Sequence, residues 1–132
     1  ETDKIVFVDA SAMQAALTTS GRIALYGVLF DTDKADIKPE SKRTLDEIAA
    51  FLRDNPTLKV VVTGHTDSQG TFEHNVALSE RRAVAVVAAL VQQHGIPAAR
   101  LTAFGAGMAA PVAANDDEAG RSKNRRVELV KR

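Results

Sequence analysis

Short β-rich runs alternate with longer segments of helical period along this 132-residue chain, and that alternation restricts the fold more than any other feature. The runs are Ile5–Val8, Ile23–Phe30, Leu58–Val62, Leu101–Phe104 and Arg126–Val130. Ser11–Leu17 reads as a short helix, with its N-cap at Asp9 or Ser11 and its stop before Gly21. Pro39 suits the first turn of a second helix, in which Leu45, Ile48, Ala49 and Leu52 recur at i, i+3, i+4 and i+7 until Asn55-Pro56 ends it. A third helix starts between Phe72 and Asn75 and runs to His94, with Leu78, Ala83, Val86, Val87, Leu90 and Val91 on its apolar face. The order is β-α-β-α-β-α-β-β, with no internal repeat. Helices between successive strands favour parallel crossovers, and the final strand-loop-strand allows one antiparallel pair. The expectation is an α/β two-layer sandwich, one mixed sheet covered by helices. Leu58–Val62 is nearly continuously apolar, which suits a central strand.

Composition removes several function classes. Lys and Arg number 17 and Asp and Glu 17, so the formal net charge is zero, unlike the basic balance of a dedicated nucleic-acid binder. There is no cysteine, which excludes disulfide frameworks, zinc-thiolate sites and cysteine nucleophiles. Aromatics are 5%, too few for a broad stacking surface. No run approaches the ~18–20 apolar residues of a membrane-spanning helix. Glu1-Thr2-Asp3-Lys4 has neither the basic nor the apolar region of a signal peptide. The chain is therefore expected to be a soluble domain cut or processed from a longer protein, and its motifs require no cofactor.

Polar segments follow two of the strands: Phe30-Asp31-Thr32-Asp33-Lys34 and Gly64-His65-Thr66-Asp67. If the runs at 23–30 and 58–63 are parallel neighbours, both segments lie at one sheet edge, together with the start of the third helix. Ligands of open α/β sheets bind outside the carboxyl ends of the strands. Asn75, Leu78, Arg82 and Val86 share one helical stripe. Leu78 and Val86 must face the sheet, so Arg82 is held low against the body, and a guanidinium there is a bidentate receptor for a carboxylate. With Asp67 in the facing loop, the pair suits a ligand carrying both an ammonium and a carboxylate. The alternative is that Asp67 and Arg82 pair with each other and staple loop to helix.

These residues resemble a known family. Gly64-His65-Thr66-Asp67, followed by Asn75-x-x-Leu78-Ser79-x-x-Arg82-Ala83-x-x-Val86, is similar to the signature of OmpA-like C-terminal domains. That family includes the peptidoglycan-associated lipoprotein and the periplasmic domain of MotB. The resemblance extends through Phe30-Asp31 with Asp33, through Leu101 to Gly107, and through Gly120-Arg121-x-x-Asn124-Arg125-Arg126-Val127. It departs at Met108, where many members carry Glu. It covers residues 22–132 and leaves residues 1–21 as an N-terminal β-α extension. It implies a βαβαββ core with a mixed sheet and noncovalent binding of peptidoglycan through the diaminopimelate of the stem peptide. Asp67 then takes the side-chain ammonium and Arg82 the neighbouring carboxylate. Thr66 and Asn75 add hydrogen bonds, Arg125 helps hold the peptide, and Asp33 and Leu78 line the same cleft. It also implies a periplasmic domain of a membrane-anchored, outer-membrane-associated protein, and a homodimer is compatible with it.

Other chemistries fit less well. His65, His74 and His94 lack zinc-motif spacing, so no metal is expected. His65 is expected to order its loop by hydrogen bonding, with His74 and His94 as solvated helix ends. Gly64–Gly70 lacks the Lys-Ser/Thr of a P-loop. His65, Asp67 and Ser68 sit too close together on one loop to form a hydrolase triad. The basic residues Arg121, Lys123, Arg125, Arg126, Lys131 and Arg132 are expected to be solvated or to pair with Asp116, Asp117 and Glu118. The favoured reading is a noncatalytic wall-binding module. The rivals are an envelope protein-protein interaction module and a cell-wall hydrolase.

Overall fold

The computed structural model describes residues 8–132. The strand expected over Ile5–Val8 lies, Val8 apart, outside the described residues. Helix α1 (Ala10–Thr19) begins at Asp9, whose side chain accepts from Ala12 N at 2.9 Å, so Asp9 and not Ser11 is the cap. It buries Met13 and Leu17 in the core. The Glu47 carboxylate accepts from Ala10 N at 2.9 Å and ties it to the next helix.

Strand β1 (Arg22–Leu25) is shorter than the run Ile23–Phe30 suggests. Its ladder partner, β4 (Arg126–Lys131), pairs Leu25 with Val127, so the ladder runs out within a residue of Leu25. The chain then folds back. Leu29 N donates to Ser41 Oγ at 2.7 Å, and Phe30 and Ile37 form an isolated bridge. A turn of 3-10 helix at Pro39–Ser41 leads into α2 (Lys42–Asp54), which buries Leu45, Ile48, Ala49 and Leu52 as its period requires. Asn55 ends it, with Nδ2 donating to Phe51 O at 2.9 Å.

Strand β2 (Val60–His65) continues through Gly64 and His65, which were expected in the loop. Helix α3 (Phe72–His94) is capped by Thr71, which accepts from His74 N, and closed by Gly95 in the left-handed conformation at φ 68°. Strand β3 (Leu101–Gly107) pairs with β2 in parallel. The segment expected as a plain loop before β4 contains a short helix, α4 (Glu118–Asn124), capped by Asp117 through Gly120 N at 2.8 Å.

The sheet order is β1-β4-β2-β3. β4 is antiparallel to both β1 and β2, so those two run in the same direction but are not neighbours. The parallel adjacency considered for the first two loops is corrected on this point. Their placement survives, because strands of equal direction end at the same edge. β2 lies inside the sheet as its apolar run requires. The fold is a mixed α/β sandwich. Helices α1 to α3 cover one sheet face around Leu25, Val60, Val62, Val86, Leu90 and Leu129. The other face carries a buried polar layer, in which Arg126 Nε donates to Glu128 Oε2 at 2.6 Å. The loop before α4 folds over it, with Ala110 O accepting from Arg126 Nη2 at 3.0 Å.

Helix α3 lies directly on the strand backbones. A Cβ at Gly64 would stand 2.2 Å from Ser79 O, and one at Gly105 would stand 2.5 Å from Glu80 N. Glycine at these points lets the helix approach closely enough to aim its first turns at the strand ends.

Candidate functional site

A cleft of about 1040 Å³ opens at the edge where β1 and β2 end and β4 begins, between the N-terminal half of α3 and α4. Asp33, Thr66, Asp67, Asn75, Leu78, Arg82 and Arg125 all line it, although they come from separate stretches of chain.

Asp67 is the cleft's buried carboxylate, at 7% exposure. Its Oδ1 accepts from Gln69 N at 2.9 Å, an Asx-type turn that fixes the loop after β2. Its Oδ2 accepts from Arg125 Nη1 at 2.8 Å. Thr66 holds the same loop: its N–H donates to Gly107 O at 2.9 Å and its hydroxyl to Asp67 O at 2.7 Å. Asn75, 3% exposed, donates from Nδ2 to Gln69 O at 2.9 Å and to Asp67 O at 3.3 Å. Thr66 and Asn75 therefore spend these donors on the loop that presents Asp67.

Arg82 lines the same cleft from α3. Its Nε donates to Lys34 O at 2.8 Å, its Nη2 donates to Asp31 O at 3.1 Å, and its guanidinium lies 4.9 Å from the centre of the Phe30 ring. Burial lowers its pKa below the ordinary guanidinium value, opposed first by the Asp33 carboxylate, and it remains a cation. Leu78, buried one turn earlier on the stripe, forms apolar floor beside it. The alternative in which Asp67 and Arg82 staple each other is corrected, because Asp67 pairs with Arg125 and Arg82 is bonded to backbone carbonyls. Asp33 sits exposed at the mouth with a positive φ of 58°, and His74 Nε2 approaches its Oδ1 at 3.2 Å.

Arg125 leaves α4 and reaches two carboxylates. Besides Asp67 it bonds Glu118 through Nη2. Hydrogen bonding to Glu118 raises the Arg125 pKa above its ordinary value, and the same contact, with Arg121, holds Glu118 below its own.

His65 is corrected. It does not order the loop by hydrogen bonding: both ring nitrogens are buried without a partner. Burial, and then the Arg126 guanidinium, push its pKa down to about 4. Phe30, His74 and Glu118 take part in the site although sequence reasoning assigned them no role there. Phe30-Asp31 already stood in the family pattern, and Glu118 follows the capping residue Asp117, a helix-start signal. Among the described residues no three His, Asp or Glu side chains converge as a metal site, and no helix is long and apolar enough to cross a membrane.

A carboxylate and a guanidinium lining one cleft can receive a zwitterionic group. A model of the OmpA family matches residues 29–125. The chain belongs to the OmpA family. It is 41% identical over 128 residues to outer membrane porin F of Pseudomonas aeruginosa, covering 97% of this chain and 36% of the porin. Among solved structures it is similar to the peptidoglycan-associated lipoprotein from Burkholderia pseudomallei, with a TM-score of 0.72 and 36% identity over 80% of this chain and 88% of that one. It is also similar to the cell wall anchor of the T6SS from Pseudomonas aeruginosa, with a TM-score of 0.71 and 31% identity over 92% and 94% of the two chains. This OmpA-family chain thus spans about a third of the porin's length.

Proposed function

We propose that this OmpA-family domain binds peptidoglycan noncovalently, through the diaminopimelate of the stem peptide, and so anchors an envelope protein to the cell wall. The observation that carries the reading is that the buried Asp67 carboxylate and the Arg82 guanidinium line one cleft. Diaminopimelate bears an ammonium and a carboxylate on one carbon, and the two side chains match those charges in sign. A charge-assisted hydrogen bond is roughly twice as strong as a neutral one, so such a ligand gains at both ends. Support comes from the solved relatives, one a peptidoglycan-associated lipoprotein and another a cell wall anchor.

The domain works in the periplasm, on a parent protein associated with the outer membrane, and performs no chemistry on the wall. Residues 22–132 form the binding unit. Residues 1–21 are an extension whose helix is fastened to the core by Met13 and Leu17.

Co-sedimentation with purified sacculi tests the reading. Asp67→Ala and Arg82→Ala are each expected to reduce retention about tenfold or more. Unchanged retention in both variants overturns it. Release of soluble fragments from the sacculi makes the domain a hydrolase instead.

A further inference from the structure

Arg125 is shared between two carboxylates that line the cleft. Its Nη1 donates to Asp67 Oδ2 at 2.8 Å, and its Nη2 is bonded to Glu118 Oε2. The two acids differ in surroundings: the Asp67 side chain is 9% exposed and that of Glu118 61%. A buried carboxylate left without a cation is strongly unfavourable, whereas a solvated one is not. Asp67 therefore needs a cation beside it, and in this structure Arg125 is that cation. The other oxygen of Asp67 is committed to Gln69 N. A ligand ammonium arriving at Oδ2 competes there with Arg125.

Glu118 is where that guanidinium can go. It is the first residue of α4, and Arg125 directly follows the last, so both ends of this short helix meet over the cleft. The contact is already half made, with Glu118 Oε1 3.4 Å from Arg125 Nη1. Arg121 approaches the same carboxylate at 3.4 Å, but its Nη1 is held by Asn115 O at 3.0 Å.

We propose that Glu118 is a positioning residue of this site, receiving Arg125 when a ligand ammonium displaces it from Asp67. The inference rests on the reading that the cleft takes the ammonium of a diaminopimelate. Binding is then a cation exchange, with one cation on Asp67 before and after. The exchange also sets specificity, because a neutral amide at the same position has no charge with which to replace Arg125.

The test is calorimetric titration of the intact chain with two forms of the stem tripeptide Ala-γ-Glu-diaminopimelate, one with the free side-chain amine and one acetylated there. Glu118→Gln is expected to weaken the amine form about two- to fivefold, the scale of an exposed ion pair. The acetylated form should be unaffected by the substitution, and Glu118→Asp should restore most of the loss. Equal affinity of Glu118→Gln and the unsubstituted chain for the amine form overturns the inference. So does an equal loss for both ligands, which marks Glu118 as a mere support of the cleft wall. An unsubstituted chain that binds neither ligand overturns the wall-binding reading itself, a result distinct from either of these.

Discussion

Arg125 donates from Nη1 to Oδ2 of Asp67 at 2.8 Å, so the buried carboxylate of the cleft is ion-paired within the chain itself. The pair joins the loop after β2 to the residue after α4 across 58 positions of sequence. It makes Arg125 part of the site's own structure as well as a candidate contact for the ligand.

The two members of this pair should not be equivalent in stability. Arg125→Gln leaves Asp67 buried without a cation, an expected loss of about 2–3 kcal/mol. Asp67→Asn leaves Arg125 with Glu118 and keeps an acceptor for Gln69 N–H, an expected loss of about 1 kcal/mol. Urea denaturation of both single variants and the double variant measures the asymmetry and the coupling. A double variant that simply adds the two losses contradicts the pairing.

Gly64→Ala tests how the site edge is assembled. The new Cβ would stand 2.2 Å from the carbonyl oxygen of Ser79, an atom of α3 backbone that cannot rotate away. Either the helix shifts or β2 bends, and overpacking of this kind costs about 1–3 kcal/mol, or more where neither can yield. Because α3 carries Asn75, Leu78 and Arg82, wall binding should weaken with stability. Gly21→Ala is the useful contrast: its Cβ meets nothing within 4 Å, and its penalty comes from a φ of 78° alone. Thermal unfolding should show the larger drop for Gly64.

What could be read in the sequence follows the range of the forces involved. The helices α2 and α3 are legible because their apolar period, Pro39, Asn55 and Gly95 are local signals. The stripe Asn75-Leu78-Arg82 is legible for the same reason. Strand order is not, because the insertion of β4 between β1 and β2 is decided by contacts a hundred residues apart in sequence. The end of β1 at Leu25 follows from where β4 starts, which no window around Phe30 contains. Helix α4 has seven residues and no apolar stripe, so its one cue was Asp117 ahead of Glu118. The partners of Asp67 and Arg82 were hidden likewise, since Arg125, Lys34 and Asp31 are near them only after folding.

Stability should fall between pH 6.5 and 4 through His65. Its pKa is pushed down to about 4 from 6.5, first by burial and then by Arg126, with Glu128 opposing and Arg22 adding to the depression. In that window the unfolded chain binds a proton that the folded chain refuses, so unfolding is favoured as pH drops. The contribution is complete above pH 6.5, lost progressively down to about 4, and constant below. Its size is on the order of 3 kcal/mol. His65→Leu should flatten this part of the curve, read as the difference in urea unfolding free energy between pH 7 and pH 4.5. Protonation of Glu118 and Asp46, both held below their ordinary values by cationic partners, adds to the acid loss in both proteins and cancels in the comparison. Equal slopes for the two proteins would place the acid sensitivity elsewhere.

Arg82 has two separable parts to play. Through Nε and Nη2 it holds the carbonyls of Lys34 and Asp31, and its guanidinium lies over Phe30, so it fixes the loop carrying Asp33. Arg82→Ala should therefore destabilise the fold by about 1–2 kcal/mol besides weakening binding. A loss of wall binding in that variant alone does not distinguish a ligand contact from a loop that has come loose. The ligand itself can make the distinction. Stem peptides built on lysine in place of diaminopimelate keep the side-chain ammonium but lack the carboxylate beside it. If Arg82 receives that carboxylate, the unsubstituted protein should bind the lysine form roughly tenfold more weakly, about 1.4 kcal/mol, the size of one charge-assisted hydrogen bond. Arg82→Lys keeps the charge but not the bidentate fork, and it should narrow the gap between the two stems, not merely lower both affinities. Titrating both stems into both proteins gives four dissociation constants. A gap of the same size in the two proteins, or none in the unsubstituted one, assigns Arg82 to the loop alone and leaves the carboxylate without a receptor in this cleft.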